Sequence, residues 1–143
     1  TVAQAWHWFD PQLAAAECAR VLRPGGVLGV AWHSRDESVP WVHELARTVG
    51  RMEDIGRRPR AGAPELSQEF SPIEEAVFGY ALTTTPEGLR ALADTWSYVH
   101  LAADRTAKLD AVLAIGRRAA AADGTLVVPH LTRCYRARRR GGA

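Results

Sequence analysis

A histidine enclosed by aromatic residues lies in segment 3–10 and is the first candidate for chemistry. His7 stands between Trp6 and Trp8, and because an imidazole titrates near neutral pH it can orient or deprotonate a hydroxyl or an amine. The alternative is a histidine hydrogen-bonded to backbone. Gln4 has two similar alternatives, since its amide either orients a ligand or satisfies the end of a strand. The sequence therefore predicts a site around residues 3–8, with His7 as its catalytic candidate.

Other candidates follow two later hydrophobic segments. Trp32 and His33 end an apolar run, and Tyr98 and His100 follow an aromatic residue on a predicted helix. All four are candidates for lining a small-molecule pocket, with a buried core role as the alternative for Trp32. Polar residues follow His33, but they show no Ser-His-Asp or paired-carboxylate pattern.

The two cysteines, Cys18 and Cys134, are far apart and lack the Cys/His spacing of a zinc site, so no metal site is predicted. Free thiols favour a reducing, cytoplasmic location. No apolar run approaches the roughly 20 residues needed to cross a bilayer, so no membrane association is predicted. The sequence begins at Thr1 without a signal-peptide pattern, and we expect that a longer chain has been cut there.

The elements that position these residues alternate between helix and strand. Asp10 and Pro11 are typical of a helix start, and residues 24–26 (Pro-Gly-Gly) end that helix. Its predicted apolar face comprises Ala14, Cys18, Val21 and Leu22. The continuous apolar run 27–32 predicts a strand covered on both faces, as in a parallel sheet.

A second helix is predicted, with Ser38 as its cap and Pro40 in its first turn. Its apolar residues are spaced by four, four and three positions: Trp41, Leu45, Val49 and Met52. A strand over 76–82 places Phe78, Tyr80 and Leu82 on one face. Two paired helices follow. The first starts at Thr85 and Pro86 and carries an apolar stripe over 89–100, and the second is capped by Asp104. A last strand is predicted over 126–136, in which Pro129 indicates an edge, a bend or a bulge. The fold class is therefore α/β, with three strands that are few for an independent sheet.

The chain has 143 residues, of which 47% are hydrophobic and 24% charged, and a net charge of +2. We expect one partial domain over 1–143, with an exposed loop at 53–72 and a basic tail at 137–143. The loop is either functional or a tolerated insertion. The tail either touches phosphates or an acidic partner, or it is a solvated final strand with a frayed terminus. The net charge is too small to argue for a nucleic-acid partner over the whole chain.

Three segments in this order carry a resemblance: residues 3–10 (AQAWHWFD), 20–26 (RVLRPGG) and 27–32 (VLGVAW). Together they resemble the class I S-adenosylmethionine-dependent methyltransferase family, of the small-molecule, type 11-like kind, from the end of its fourth strand to its fifth. A looser similarity extends through 95–99 and 132–137. The resemblance implies the C-terminal half of a Rossmann-like methyltransferase sheet, with the fifth to seventh strands, flanking helices and an antiparallel last strand.

The resemblance also implies S-adenosylmethionine as the cofactor. The stretch Ala3, Gln4, Ala5 and Trp6 leaves the family's fourth strand beside the methionine part of that cofactor. Trp6, Trp8 and Phe9 then wall the site, where their faces favour a sulfonium charge, or Trp8 and Phe9 attach the helix to the core. Trp8, Trp32, His33, Tyr98 and His100 are the implied acceptor-binding residues.

The family's Gly-rich loop and ribose-binding acid do not occur in this sequence, since Gly25 and Gly26 follow a helix and serve as its C-cap. We therefore expect methyl transfer to an O, N or C atom of a small acceptor as the family function, with this chain inactive alone. An alternative is a non-catalytic α/β interaction module that completes a site with a partner chain, or that self-associates through an exposed sheet edge. A nicotinamide-dependent oxidoreductase would also need the missing Gly-rich loop.

Overall fold

The computed structural model describes residues 1–50 and 62–141 of the chain. Four strands and five helices alternate along these residues, and a short 3-10 turn, Trp6–Trp8, follows the first strand. The strands are β1 (Val2–Ala3), β2 (Val27–Arg35), β3 (Glu74–Thr84) and β4 (Leu126–Arg138). The helices are α1 (Pro11–Val21), α2 (Pro40–Val49), α3 (Pro86–Asp94), α4 (Ser97–His100) and α5 (Arg105–Ala119). None of the helices in these ranges is long and apolar enough to cross a membrane.

The four strands form one sheet in the order β1-β2-β4-β3. β1 and β2 are parallel, with Val2 opposite Val30. β4 runs antiparallel to β2, because the amide of Arg139 donates to Gly26 while the amide of Asp36 donates to Pro129. This arrangement confirms the α/β class, the partial Rossmann-like sheet and the antiparallel last strand. Since β4 has a neighbour on each side, the edge position considered for Pro129 is wrong.

The first helix begins where predicted. The Asp10 carboxylate accepts hydrogen bonds from the amides of Gln12 and Leu13, both at 3.0 Å, and Pro11 occupies the first turn. Of its predicted apolar face, Ala14, Cys18 and Leu22 are partly buried against the core that includes Ala15 and Ala19, whereas Val21 is 62% exposed and was predicted wrongly. Val21 lies two residues beyond the buried Ala19, about 200° around the helix, so its side chain faces away from the core.

The central strand β2 is buried on one face rather than on both. Leu28, Val30 and Trp32 are buried, whereas Val27 is exposed and the alternate residues between them are partly covered. The predicted burial of both faces is therefore wrong, although the strand itself is confirmed and extends to Arg35.

The predicted cap of α2 is wrong, and the predicted cap of α5 holds the capping position without a side-chain hydrogen bond. At the start of α2 the capping position is held by Val39 without a side-chain hydrogen bond, because the Ser38 hydroxyl donates to Asp36 at 2.6 Å instead. Asp104 precedes α5 but its side chain accepts no capping hydrogen bond. By contrast, the Thr85 hydroxyl accepts from the amide of Gly88 at 3.0 Å and caps α3. The predicted stripe over residues 89–100 is divided between α3 and α4.

The strand β3 is confirmed, but most of its side chains are exposed. Phe78 and Tyr80 are 58% and 55% exposed, and of the predicted apolar face only Leu82 is partly buried against other residues. Glu74 and Glu75 at its start pair with Arg136 and Arg133 of β4.

Residues 53–61 of the predicted exposed loop, and Met52, lie outside the described residues. Within 62–72, Pro64 and Phe70 are buried, and Phe70 forms an antiparallel bridge with Arg139. In the described part of the predicted basic tail, Arg139 donates to the Leu22 carbonyl at 2.7 Å and Arg140 to the Phe70 carbonyl at 2.8 Å. These side chains therefore bind backbone rather than fray.

The residues divide into two compact units. Among the described residues, unit 1 comprises 1–33, 62–78 and 132–141, and unit 2 comprises 34–50 and 79–131. Each has its own apolar core. The core of unit 1 includes Trp6, Ala15, Ala19, Leu28, Val30, Trp32, Phe70 and Tyr135. The core of unit 2 includes Leu45, Val49, Leu89, Val99, Leu109, Val112, Ile115, Leu126 and Val128.

Candidate functional site

The carboxyl end of β1 lies beside Ala31 of β2, because the two strands are parallel with Ala3 opposite Ala31, and β2 continues past this point to Arg35. In α/β sheets, ligands bind outside this end of the parallel strands. Segment 4–8 leaves β1 there, and His33 lies near the same end of β2. The geometry thus brings the candidates of the first segment together with Trp32 and His33.

Gln4 connects the two strands at this edge. Its amide nitrogen Nε2 donates to the His33 carbonyl at 2.6 Å, and its backbone amide donates to Ala31 at 3.0 Å. Its φ of 55° lies in the left-handed region, which costs a residue with a Cβ about 1–2 kcal/mol. Strained backbone of this kind clusters at ligand-binding sites.

The side-chain oxygen Oε1 of Gln4 is buried and has no hydrogen-bond partner among residues 1–50 and 62–141. A buried amide oxygen without a donor is unfavourable, so a ligand donor at this point would stabilise it. Because Nε2 is held by His33, the orientation of Oε1 is fixed.

His7 packs between two indoles. Its ring centroid lies 5.5 Å from that of Trp32 and 4.9 Å from that of Trp8. Trp8 is 52% exposed, so one face of this aromatic group reaches solvent. The imidazole is therefore half-buried beside an exposed aromatic surface, a position from which it can meet a ligand.

The other aromatic residues of the segment differ in burial. Trp6 is 6% exposed and lies in the core of unit 1, where Phe9 meets it edge-on at 6.3 Å between centroids. Phe9 is 45% exposed. This contact agrees with Phe9 helping to attach α1, whereas Trp8 projects outward.

Trp32 and His33 have different environments although they are adjacent. Trp32 is buried, and its indole donates to the Gly62 carbonyl at 3.3 Å. His33 is exposed, and its Nδ1 lies 2.9 Å from the Thr132 hydroxyl oxygen. The buried core role for Trp32 is thus observed, and His33 is the accessible side chain of the pair.

Tyr98 and His100 belong to α4 of unit 2. His100 is exposed. The Tyr98 ring stacks on Trp96 at 5.9 Å and 28°, and its hydroxyl accepts from Nη2 of Arg35 at 3.2 Å. Arg35 was not identified from the sequence, because its partners Trp96 and Tyr98 lie some sixty residues away and no local sequence pattern predicts these contacts. The only sequence signal is its place at the end of an apolar strand.

Among the remaining polar candidates, Asp36 is held within its own turn. Hydrogen bonds from the Ser38 hydroxyl and amide lower the pKa of this carboxyl. Within the described ranges, no three His, Cys, Asp or Glu side chains gather as metal ligands would. The arrangement therefore suits binding and orientation of a ligand, assisted by one imidazole.

No family model matches the chain. It is similar to "Uncharacterized methyltransferase Rv3342" of Mycobacterium tuberculosis and "Uncharacterized methyltransferase Mb3374" of Mycobacterium bovis, each 40% identical over 140 residues, or 95% of this chain. It is also 30% identical over 108 residues to "Uncharacterized methyltransferase-like C25B8.10" of Schizosaccharomyces pombe. The chain spans 56% of the length of the mycobacterial proteins and 40% of that of the yeast protein.

Proposed function

We propose that this chain is part of a methyltransferase, as its similarity to these relatives supports, and that it contributes to S-adenosylmethionine-dependent methyl transfer onto an O, N or C atom of a small molecule. The observation that carries the proposal is Gln4, whose strained backbone and fixed, buried Oε1 lie at the carboxyl edge of two parallel strands. The relatives' names support methyl transfer in general. The cofactor and the type of acceptor are our inference.

The residues of segment 3–6 fit the methionine end of the cofactor. Oε1 of Gln4 needs a donor, and the ammonium group of a methionine moiety is one. The exposed face of Trp8 suits a neighbouring cation. When bound, S-adenosylmethionine supplies an electrophilic methyl group on a sulfonium. Ala3, Ala5 and Trp6 complete the segment that we assign to cofactor binding.

His7 is the proposed acid-base residue. Its imidazole is held between Trp8 and Trp32, so it can take a proton from an acceptor hydroxyl or amine that is bound beside it. We assign Trp8, Trp32 and His33 of unit 1 to acceptor binding. Of these, Trp32 is buried, so its contribution is to support His7 rather than to contact the acceptor directly. Tyr98 and His100, for which the resemblance implies the same role, belong to unit 2 and are proposed separately.

The proposal is tested by nuclear magnetic resonance titration of the chain with three ligands. S-adenosylmethionine and methionine should both shift the amide signals of residues 3–8, whereas adenosine should not, because the Gly-rich loop and ribose-binding acid of the family are not in this sequence. Gln4→Ala should remove the shifts, and Asp110→Asn, on an exposed helix surface of unit 2, should retain them.

Absence of any shift in residues 3–8 with S-adenosylmethionine would overturn the cofactor assignment. Calorimetric binding at micromolar concentration would instead contradict our expectation that this chain, taken alone, holds only part of the cofactor site and is inactive.

A second candidate function, an interaction module, is favoured by β3. This outer strand of the sheet exposes Val77, Phe78 and Tyr80. An unpaired strand edge with apolar side chains can pair with an identical edge, and we propose a second copy of this chain as the occupant. Sedimentation should then show a dimer that Phe78→Lys disrupts and Leu101→Lys, at a 73% exposed residue, does not. A monomer at all concentrations would contradict it.

We also propose a cytoplasmic location. Both cysteines, Cys18 and Cys134, are free thiols in the structure. Reduced thiols are the usual state in that compartment.

A further inference from the structure

We propose that Arg35, Trp96 and Tyr98 form a binding site for the carboxylate of a small organic acid. The site belongs to unit 2 and involves none of the residues of segment 3–8. That this acid is the methyl acceptor rests on the proposed function, whereas the site itself does not.

Arg35 is the last residue of β2 and is half-buried. Its guanidinium carbon lies 4.1 Å from the centroid of the Trp96 ring, and Nη2 donates to the Tyr98 hydroxyl at 3.2 Å. The two aromatic rings stack on each other at 5.9 Å. Both contacts fix the plane of the guanidinium, so this long side chain is already held in one orientation.

The charge of Arg35 is unbalanced within the described part of the chain. No carboxylate there forms an ion pair with it, and its Nε is buried without a hydrogen-bond acceptor. Four other arginines of unit 2 do have carboxylate partners: Arg90 with Asp110, Arg105 with Asp94, Arg117 with Glu87 and Arg118 with Glu44. The adjacent Asp36 instead accepts hydrogen bonds from Ser38.

A partly desolvated guanidinium without a counter-ion favours an anionic ligand. A carboxylate fits best, because it is planar, matches the guanidinium fork and carries the single charge that one arginine balances. The Tyr98 hydroxyl accepts from Arg35 and therefore keeps its own proton to donate to the same anion. The Trp96 and Tyr98 rings offer a flat apolar surface for the carbon skeleton of the acid.

The test measures binding of phenylacetate, its neutral analogue phenylacetamide, and phenyl phosphate to the chain by calorimetry, without S-adenosylmethionine. We expect phenylacetate to bind at least ten times more tightly than phenylacetamide and more tightly than phenyl phosphate. Arg35→Gln should weaken phenylacetate binding at least tenfold. Arg35→Lys should weaken it several-fold, because a lysine keeps the charge but not the planar fork.

Arg117→Gln is the matched control, since it removes another unit 2 arginine that is 63% exposed, and it should bind phenylacetate as the original chain does. Circular dichroism establishes whether each variant is folded. If Arg35→Gln does not fold, Tyr98→Phe is the second variant, with a smaller expected loss of phenylacetate affinity. Equal binding of phenylacetate and phenylacetamide, or unchanged binding in the folded Arg35 variants, would overturn the site. Tighter binding of phenyl phosphate would overturn the carboxylate assignment. Because no arm contains S-adenosylmethionine, failure here is distinguishable from failure of the proposed methyl transfer.

Discussion

The amide nitrogen of Gln4 donates to the carbonyl of His33 at 2.6 Å, so the residue that follows β1 is tied to the end of β2 through its side chain. The same residue has a φ of 55°, a conformation in which glycine is favoured. The side chain of Gln4 therefore keeps a backbone geometry that its own Cβ disfavours.

The left-handed backbone of Gln4 predicts that two substitutions of this residue differ in stability. Both Gln4→Ala and Gln4→Gly lose the hydrogen bond to His33, but only glycine relieves the backbone. We expect Gln4→Gly to be more stable than Gln4→Ala by about 1 kcal/mol in urea unfolding. At Ala5, where φ is −130°, glycine should instead lower stability by about 0.5–1 kcal/mol. A Gln4→Ala variant at least as stable as Gln4→Gly would refute the strain at this residue.

The two aspartates that precede helices should respond differently to alanine. Asp10→Ala removes two hydrogen bonds to helix amides and should lower the free energy of unfolding by about 1 kcal/mol. Asp104→Ala removes only an ion pair with Lys108, with 3.5 Å between the charged atoms, and should cost a few tenths of a kcal/mol. Chemical denaturation measures both. Equal losses of unfolding free energy in the two variants would show that the capping hydrogen bonds of Asp10 do not contribute the expected stability.

Gly116 should not tolerate a methyl group, although alanine is the better helix former. A Cβ there would lie 3.2 Å from the Cα of Pro86, which is backbone and cannot rotate away. Overpacking of this kind costs about 1–3 kcal/mol, against about 1 kcal/mol gained from helix propensity. We expect a net loss of about 1 kcal/mol for Gly116→Ala in thermal unfolding. Gly79→Ala, with no atom within 4 Å of the new Cβ, should be neutral or slightly stabilising, and a stabilised Gly116→Ala would contradict the close approach.

The ion pair of Asp94 with Arg105 should make stability depend on pH. Hydrogen bonds from Arg105 hold the pKa of Asp94 below its ordinary value. A carboxyl whose pKa is lowered on folding contributes stability above its unfolded pKa of about 3.9 and loses that contribution as pH falls through the folded pKa. Asp94→Asn should therefore lower the melting temperature at pH 7 and have little effect in strong acid.

The control for this comparison is Asp110→Asn, since Asp110 meets Arg90 at a looser 3.6 Å and is 67% exposed. Its melting temperature should stay near that of the original chain at both pH values. An Asp94→Asn difference of equal size at pH 7 and in acid would show that the carboxylate charge is not the cause.

Local sequence signals predicted the elements better than their burial. Asp10 with Pro11, and Thr85 with Pro86, marked helix starts because capping involves residues within three positions of each other. Burial depends on what packs against an element. Phe78 and Tyr80 alternate as in a half-buried strand, yet β3 lies at the outside of the sheet and leaves both exposed.

The candidate site was predictable where neighbouring residues in sequence are also neighbours in space. Segment 3–8 and residues 32–33 were identified on that basis, because parallel strands bring their carboxyl ends together. Arg35 was missed, since its contact with Tyr98 spans 63 residues. Ser38 was assigned to the wrong role because its hydroxyl can either accept from a helix amide as a cap or donate to the Asp36 carboxylate, and it donates to Asp36.

The hydrogen bond from Arg139 to the Leu22 carbonyl joins residues 117 positions apart, at the end of α1. Unit 1 is completed by residues 132–140, whereas the last residue of unit 2 is Leu131. During synthesis on the ribosome, unit 2 can thus acquire its full set of contacts first. The carbonyl of Leu22, next to the C-terminal end of α1, is bound only after Arg139 has emerged, long after α1 itself has been made.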